Sequence, residues 1–295
     1  MNSQLPDSLN LGMATPAAAI AIEAGLLIHD FYKRGVRTEY KGDADLVTEA
    51  DRASEALIVE KLRLAFPNHG IYGEEGTRTE LDAEYRWYVD PLDGTTNFAH
   101  GFPWFAVSLG LEHRPAGLKA DEDGELIAGV IYQPITNELF VAEKGSGAYL
   151  NGTKLSVSKI GQLQDSLLAT GFPSQKRHEN PNIHLYQQLT LRSHGVRRAG
   201  SAALDLAYTA AGRFDAYWEF NLNPWDTAAG VLLVKEAGGT VTGFQGQPFQ
   251  LNSKEVLATN GLIAQEVQTF FADMFAGRGI EPVPTPAEFA ARRRG

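Results

Sequence analysis

The most restrictive segment of the chain is Arg86-Trp-Tyr-Val-Asp-Pro-Leu-Asp-Gly-Thr-Thr-Asn-Phe98, an apolar run that ends in two carboxylates, a glycine and two hydroxyls. Aromatic and β-branched residues suit a buried strand, and a proline biases the residue before it toward extended backbone. Asp90 is therefore expected at the strand's end, with Asp93 in the turn beyond it. Gly94 leaves room for a ligand against the main chain, and Thr95 and Thr96 can cap a following helix whose free N–H groups would face an anion. Carboxylates beside phosphate donors imply a bridging cation. Asp-Pro and Asp-Gly are also common turn punctuation, so this segment alone leaves a plain loop open.

A chain of 295 residues can bury a sizeable core, as one large domain or two closely packed lobes. Its formal net charge of −10 disfavours nonspecific binding to nucleic acid or anionic membranes and favours a small-molecule partner. The absence of cysteine excludes disulfides, thiolate-held zinc, iron–sulfur clusters and cysteine nucleophiles, leaving oxygen ligands and hard cations. Residues 1–15 lack a basic region followed by a long apolar core. With no uninterrupted apolar run of bilayer length either, a cytoplasmic location is expected.

Apolar residues recur at helical spacing over residues 16–33, and a second helix is expected from Thr48, closed by Pro67-Asn-His-Gly70. Strands are expected at 85–90, 105–111, 126–132 and 138–142, with a polar hairpin loop at 114–125, so this half reads as helices laid on an antiparallel sheet. Beyond residue 156 the pattern alternates. A strand near Leu167, helices at 182–192 and 201–211, a strand at 215–219, a helix at 226–237 and a strand at 240–242 suggest a second lobe. A strand at 256–259 and a helix at 262–275 complete it. The lobes thus span residues 5–155 and 156–276, followed by a mobile tail, 277–295, with three prolines and Arg292-Arg293-Arg294.

Other segments could complete a site, each with an ordinary alternative. Ile71-Tyr-Gly-Glu-Glu-Gly76 reads as a short strand ending in paired carboxylates, which repel unless a cation lies between them; Glu74 is otherwise a solvated loop residue. Asp226 stands at a helix start, where an N-cap accounts for it as well as a metal ligand does. Thr48-Glu-Ala-Asp51 fits a variant capping box, yet Asp51 could also face a site. Gly200 and Ser201 precede a helix, as an anion cradle or a plain cap. The seven histidines show no zinc spacing, and there is no Gly-x-Ser-x-Gly elbow, Walker loop or dinucleotide fingerprint.

Taken in order, Asp45-Leu-Val-Thr-Glu-Ala-Asp51, Gly73-Glu-Glu75, Asp90-Pro-Leu-Asp-Gly-Thr-Thr-Asn-Phe98, Gly200-Ser-Ala-Ala203 and Pro224-Trp-Asp-Thr227 resemble the inositol monophosphatase family over nearly the whole chain. The resemblance implies an α+β fold, a layered αβαβα sandwich of the sugar-phosphatase type. It also implies a homodimer and magnesium-dependent, lithium-sensitive hydrolysis of phosphate monoesters. By the same resemblance, Glu74, Asp90 and the Leu92 carbonyl hold one Mg2+, and Asp90, Asp93 and Asp226 a second. A third, weaker ion lies near Glu74. Leucine at 92 replaces a frequent isoleucine, harmlessly for a main-chain ligand, and Ser201 stands where threonine is also common.

The mechanism so implied is direct attack of a water oriented by Glu74 and Thr95, with Asp51 in support. Asp93, Gly94, Thr95, Gly200, Ser201, Ala202, Glu219 and Asp226 contact the substrate. Glu219 suits a polyhydroxylated alcohol because carboxylates accept hydrogen bonds from hydroxyls, although a solvent-exposed strand end is its plainer reading. Myo-inositol 1-phosphate is the expected substrate. Histidinol phosphate, fructose 1,6-bisphosphate, a nucleotide 3′-phosphate and NADP remain alternatives on the same fold, as does a regulatory binding protein. The Asp-Gly-Thr run also resembles haloacid-dehalogenase-type phosphatases, but their paired aspartates stand one residue apart, unlike Asp90 and Asp93.

Overall fold

The structure is a computed structural model that describes residues 10–35, 38–40, 46–118, 122–172 and 180–292. Asp45, Arg293 and Arg294 lie outside the described residues. The chain begins with α1 (Ala14–Arg34), the antiparallel pair β1 (Thr38–Tyr40) and β2 (Leu46–Thr48), and α2 (Glu49–Ala65). It continues through β3 (Gly70–Gly73), β4 (Arg78–Thr79), β5 (Tyr85–Asp93), the short α3 (Thr95–Ala99), β6 (Ala106–His113), β7 (Glu125–Gln133), β8 (Glu138–Glu143), β9 (Gly147–Leu150) and β10 (Thr153–Lys154). The second half adds β11 (Leu167–Thr170), α4 (Asn182–Arg192), β12 (Gly195–Arg197), α5 (Ala202–Ala210), β13 (Ala216–Phe220), α6 (Pro224–Glu236), β14 (Thr240–Thr242), β15 (Glu255–Thr259), α7 (Ala264–Phe275) and α8 (Pro286–Arg292).

An eight-stranded sheet runs in the order β10-β9-β8-β7-β6-β5-β3-β4, and a five-stranded sheet in the order β12-β11-β13-β15-β14. Strand alternation assigns the faces of the larger sheet. Trp87, Val89, Val107, Leu109, Leu111, Val130 and Val141 join α1 and α2 in one core, whereas Ala106, Ile131, Phe140 and Ala142 pack with α5 and α6. Tyr217, Val256 and Ala258 of the second sheet close over that same helix pair. Its far face carries Leu168, Trp218 and Leu257 against Leu185 and Leu189 of α4 and Val267 and Phe271 of α7. The layers are therefore αβαβα, an α+β arrangement of two packed lobes.

Two details differ from the sequence expectation and place the site. The larger sheet is mixed: β3 runs parallel to β5, with Gly73 opposite Val89, so both strands deliver their C-terminal ends to the same edge. The strand β5 also runs on through Pro91 to Asp93, with Asp90 opposite Ser108, Asp93 opposite Ala106 and a register shift between. Three steps on β5 thus match two on β6, a bulge that tolerates proline and brings both aspartates to the face of Ser108 and Ala106. The strands β1, β2, β4, β9, β10 and β12 have only two to four residues each, too few for a periodic signal.

Helix boundaries shift modestly, with two consequences. Asn223 caps α6, so Asp226 is its third residue rather than the cap, and Gly94 rather than Thr95 or Thr96 precedes α3. Against expectation, α1 is apolar and long enough to span a bilayer, but half of that stretch is buried, with Ala17, Ile20, Ala21, Ala24 and Ile28 in the core. In the segment read as a mobile tail, Glu281 N–H donates to Gln188 Oε1 (2.8 Å) and its carbonyl accepts from Gln188 Nε2 (2.9 Å).

Helix α6 lies directly on β6 and β7 because glycines face it. A Cβ on Gly110 would stand 2.5 Å from Ala228 Cβ and 2.9 Å from Ala229 N. Gly110→Ala is therefore expected to lift α6 and destabilise the protein by about 1–3 kcal/mol, read from urea denaturation midpoints. Wild-type stability would show that α6 is not seated this way.

Candidate active site

Asp90 is fully buried at the end of β5, and its Oδ1 accepts the Leu92 N–H at 3.0 Å, inside the bulge. Burial raises its carboxyl well above the ordinary aspartate value, and the charges of Glu74, Asp93 and Asp226 push it further. Glu74 follows β3, with its N–H on the Val89 carbonyl at 3.0 Å. Burial likewise raises Asp93 to about 6 and Asp226 to about 7, Asp93 adding to the rise at Asp226. The four acids named from the sequence therefore do come together.

Helix starts supply much of what holds them. Asp93 Oδ2 accepts from Ser201 Oγ at 2.5 Å and from Ala203 N at 2.7 Å, at the start of α5. Ser201 also caps that helix, accepting from Leu204 N at 3.3 Å, so its two readings hold together. Asp226 Oδ2 accepts the Asn223 N–H at 2.7 Å, as the third residue of a capping box on α6. Asp51 is fully buried and closes the capping box of α2 through Thr48 N (2.8 Å), while its other oxygen accepts from Thr95 Oγ1 at 3.0 Å. Burial raises its carboxyl, and the Thr48 and Thr95 hydrogen bonds oppose that rise.

The Thr95 hydroxyl stands 3.0 Å from the Leu92 carbonyl as well, so one proton has two acceptors. Gly94 has a φ of 92°, and a Cβ there would meet Trp104 O at 2.8 Å; only glycine fits comfortably. Glu219 is buried at the end of β13, accepting from Tyr217 Oη at 2.5 Å, and burial raises it to about 8. The charges of Asp226 and Asp93 act on it in the same direction, so it shares the acidic neighbourhood.

Several contributors escaped the sequence reading. Asn97 Nδ2 reaches Trp104 O (2.8 Å), Ala199 O (2.9 Å) and Gly200 O (3.2 Å), tying the Gly200 segment to α3. It lies inside the most informative motif but carries no charge to draw notice. Ser54 Oγ donates to Pro91 O at 2.9 Å, and Glu55 binds the loop around Glu74. Their spacing from Asp51 places all three on neighbouring positions of one helix face. Asp205 is fully buried with no hydrogen-bond partner for either oxygen among the described residues, and burial raises it well above the usual range.

A chain of this layout has close relatives of known kind. The model of the inositol monophosphatase family matches residues 12–273. The chain belongs to that family. It is a phosphatase, a phosphoric monoester hydrolase. Nus factor SuhB of Pseudomonas aeruginosa is 44% identical over 256 residues, 84% of this chain and 91% of that protein. Inositol-1-monophosphatase of Rhizobium meliloti is 42% identical over 249 residues, 82% of this chain and 89% of that protein. The crystal structure of extragenic suppressor protein suhB from Bartonella henselae superposes with a TM-score of 0.79 at 42% identity, covering 86% of this chain and 96% of that one.

Among the described residues, no three acidic or histidine side chains close on one point as a preformed metal cage. The donor set nevertheless fits a hard cation. It offers carboxylate and carbonyl oxygens without sulfur or imidazole, and its mutual repulsion is what a divalent ion would relieve.

Buried acids also fix a pH dependence. The native state keeps protons that the unfolded chain releases, so the stability such a group contributes is complete below its unfolded value and lost as pH rises through its folded value. For Glu219 that window runs from 4.5 to about 8, and Asp205 acts in the same direction above 3.8. With a chelator present, unfolding free energy should fall as pH rises through this window, and Glu219→Gln and Asp205→Asn should each flatten the slope in urea titrations. An unchanged slope in both variants would contradict burial as its cause.

Proposed function

We propose that the chain hydrolyses a small phosphorylated polyol, with myo-inositol 1-phosphate as the leading substrate, by direct attack of water and with magnesium as cofactor. One observation carries this reading: Glu74, Asp93 and Asp226, drawn from both halves of the chain, stand near enough to Asp90 for their charges to add to the rise that burial causes there. Two to three Mg2+ ions, held by Glu74, Asp90, the Leu92 carbonyl, Asp93 and Asp226, would neutralise that charge, acidify a water and draw electrons from the phosphoryl group.

The chain's own groups orient the reactants. The Thr95 proton is directed to Asp51 Oδ1 or Leu92 O, each at 3.0 Å, which turns the hydroxyl lone pairs toward an attacking water. The proton released by that water has a route through Thr95 to Asp51, whose position Thr48 fixes, with Glu74 as a second acceptor. Main-chain N–H groups of Gly94 and Thr95 receive phosphate oxygens. Glu219, with Gly200, Ser201 and Ala202, faces the alcohol, and Asp226 assists protonation of the leaving oxygen. A cytoplasmic, lithium-sensitive homodimer of one inositol-monophosphatase-like domain accompanies this reading as the family expectation.

A second role is favoured by one observation, the 44% identity to a relative named Nus factor SuhB. A regulatory binding activity would be carried by the same fold. Purified protein that binds a macromolecular partner tightly and hydrolyses no ester with magnesium would make it the primary role.

The main test compares kcat/KM over a panel of phosphate esters with and without magnesium. Inositol 1-phosphate is expected to lead; negligible turnover of it beside a preferred histidinol phosphate, sugar bisphosphate or nucleotide 3′-phosphate would reject the substrate. Asp93→Asn should lower kcat by roughly 10²-fold or more with Tm retained, and near-normal turnover would contradict its metal role. Trapping a phosphoaspartate at Asp90 would overturn direct attack by water.

A further inference from the structure

Glu55 is almost fully buried on α2, one turn beyond Asp51. Its carboxylate accepts three hydrogen bonds from a single loop. Oε2 takes the Glu75 N–H at 2.7 Å, and Oε1 takes the Thr77 N–H at 3.1 Å and the Thr77 hydroxyl at 2.6 Å. The loop closes on itself through Gly73 N to Thr77 O at 2.9 Å, and a Cβ on Gly73 would run into the Glu55 carboxylate. Glu74 lies between these fixed points, anchored on its other side by its N–H on Val89 O.

We infer that Glu55 is the positioning residue for Glu74, setting where the Glu74 carboxylate stands relative to Asp90. This rests on the reading that Glu74 holds a cation and orients water. The neighbouring turn of α2 makes the role specific. Asp51 fixes Thr95 and Ser54 fixes the Pro91 carbonyl, so with Glu55 one rigid helix references three separate parts of the site. A helix is suited to this, because misplacing a reacting group by about 1 Å costs on the order of 10²-fold in rate. Arg78 also touches the loop, its guanidinium donating to Gly73 O and to Thr77 O (2.8 Å) and stacking 3.7 Å from the Tyr72 ring, but it is exposed and holds only the two ends of the loop, whereas Glu55 takes the N–H beside Glu74 itself.

Glu55→Gln keeps the volume but places an NH2 group against N–H donors, so one side of the clamp is lost. Three quantities are to be read on the full-length protein: amide hydrogen exchange at Glu75 and Thr77, the Mg2+ dissociation constant by calorimetry with the metal alone, and kcat and KM for the best ester. Exchange at those amides should quicken by about tenfold while α2 amides keep their protection, and Mg2+ binding should weaken by about tenfold. The rate constant kcat should fall by about tenfold or more with KM within about twofold. Thr77→Val, which removes only the hydroxyl donor, should move each quantity the same way by a smaller factor, and it serves if Glu55→Gln does not fold. Unchanged exchange in the variants, or quickened exchange with wild-type Mg2+ affinity and kcat, would overturn the inference. If the wild-type protein hydrolyses no ester, the functional reading fails, while exchange and Mg2+ affinity still decide the role of Glu55.

Discussion

The site depends on one irregularity, the bulge that lets β5 pass through Pro91 and Leu92 while β6 advances by a shorter count. In a regular strand, residues three apart point to opposite faces. Asp90 and Asp93 would then be divided between the core under α1 and α2 and the layer under α5 and α6. The bulge puts both on the second side, beside Asp226 on α6 and the Ser201 cap of α5. The parallel pairing of β3 with β5 adds Glu74 at the same edge, which an antiparallel neighbour would have sent to the far end.

Such a gathering of acids is electrostatically costly, and the fold offsets part of the cost at helix starts. Asp51 and Asp226 are third residues of capping boxes, and Asp93 receives the N-terminal N–H of Ala203 from α5. Each carboxylate meets unpaired main-chain donors and the positive end of a helix dipole, worth roughly 0.3–1 kcal/mol apiece. This does not cancel burial: Asp93 and Asp226 still rise to about 6 and 7. A divalent cation would relieve the carboxylate repulsion that adds to burial at Asp90 and Asp226.

Much of the layering could be read from the sequence because the long elements carry strong periodicity. The helix at residues 182–192 and the strand at 240–242 coincide with α4 and β14, and the main strands agree within a few residues. Less was legible where the signal is tertiary. Nothing local in Gly70–Gly73 states that it pairs in parallel with β5, and the bulge depends on β6 as much as on the Pro91 that permits it. Glu55 shows the same gap. On the sequence it is one more acid on an amphipathic helix, and only the approach of residues 73–77 reveals what it holds.

The readings as helix cap and as site residue, open for Asp51, Ser201 and Asp226 in the sequence, do not exclude each other in the structure, because Asp51 and Ser201 each make a second contact beside the helix-start hydrogen bond. Asp51 uses one oxygen for Thr48 and the other for Thr95; Ser201 accepts from Leu204 N while donating to Asp93. A capping side chain has its rotamer fixed by the helix it caps, so its remaining donor or acceptor points in a direction set by the helix axis. Three helices entering one region with such residues at their starts aim several polar groups at a common volume without long flexible side chains. That economy also explains why motifs so short can identify the family. All but Gly73-Glu-Glu75 stand where a helix begins, so the residues that start the helix are also the groups that it presents, and a change in one function disturbs the other.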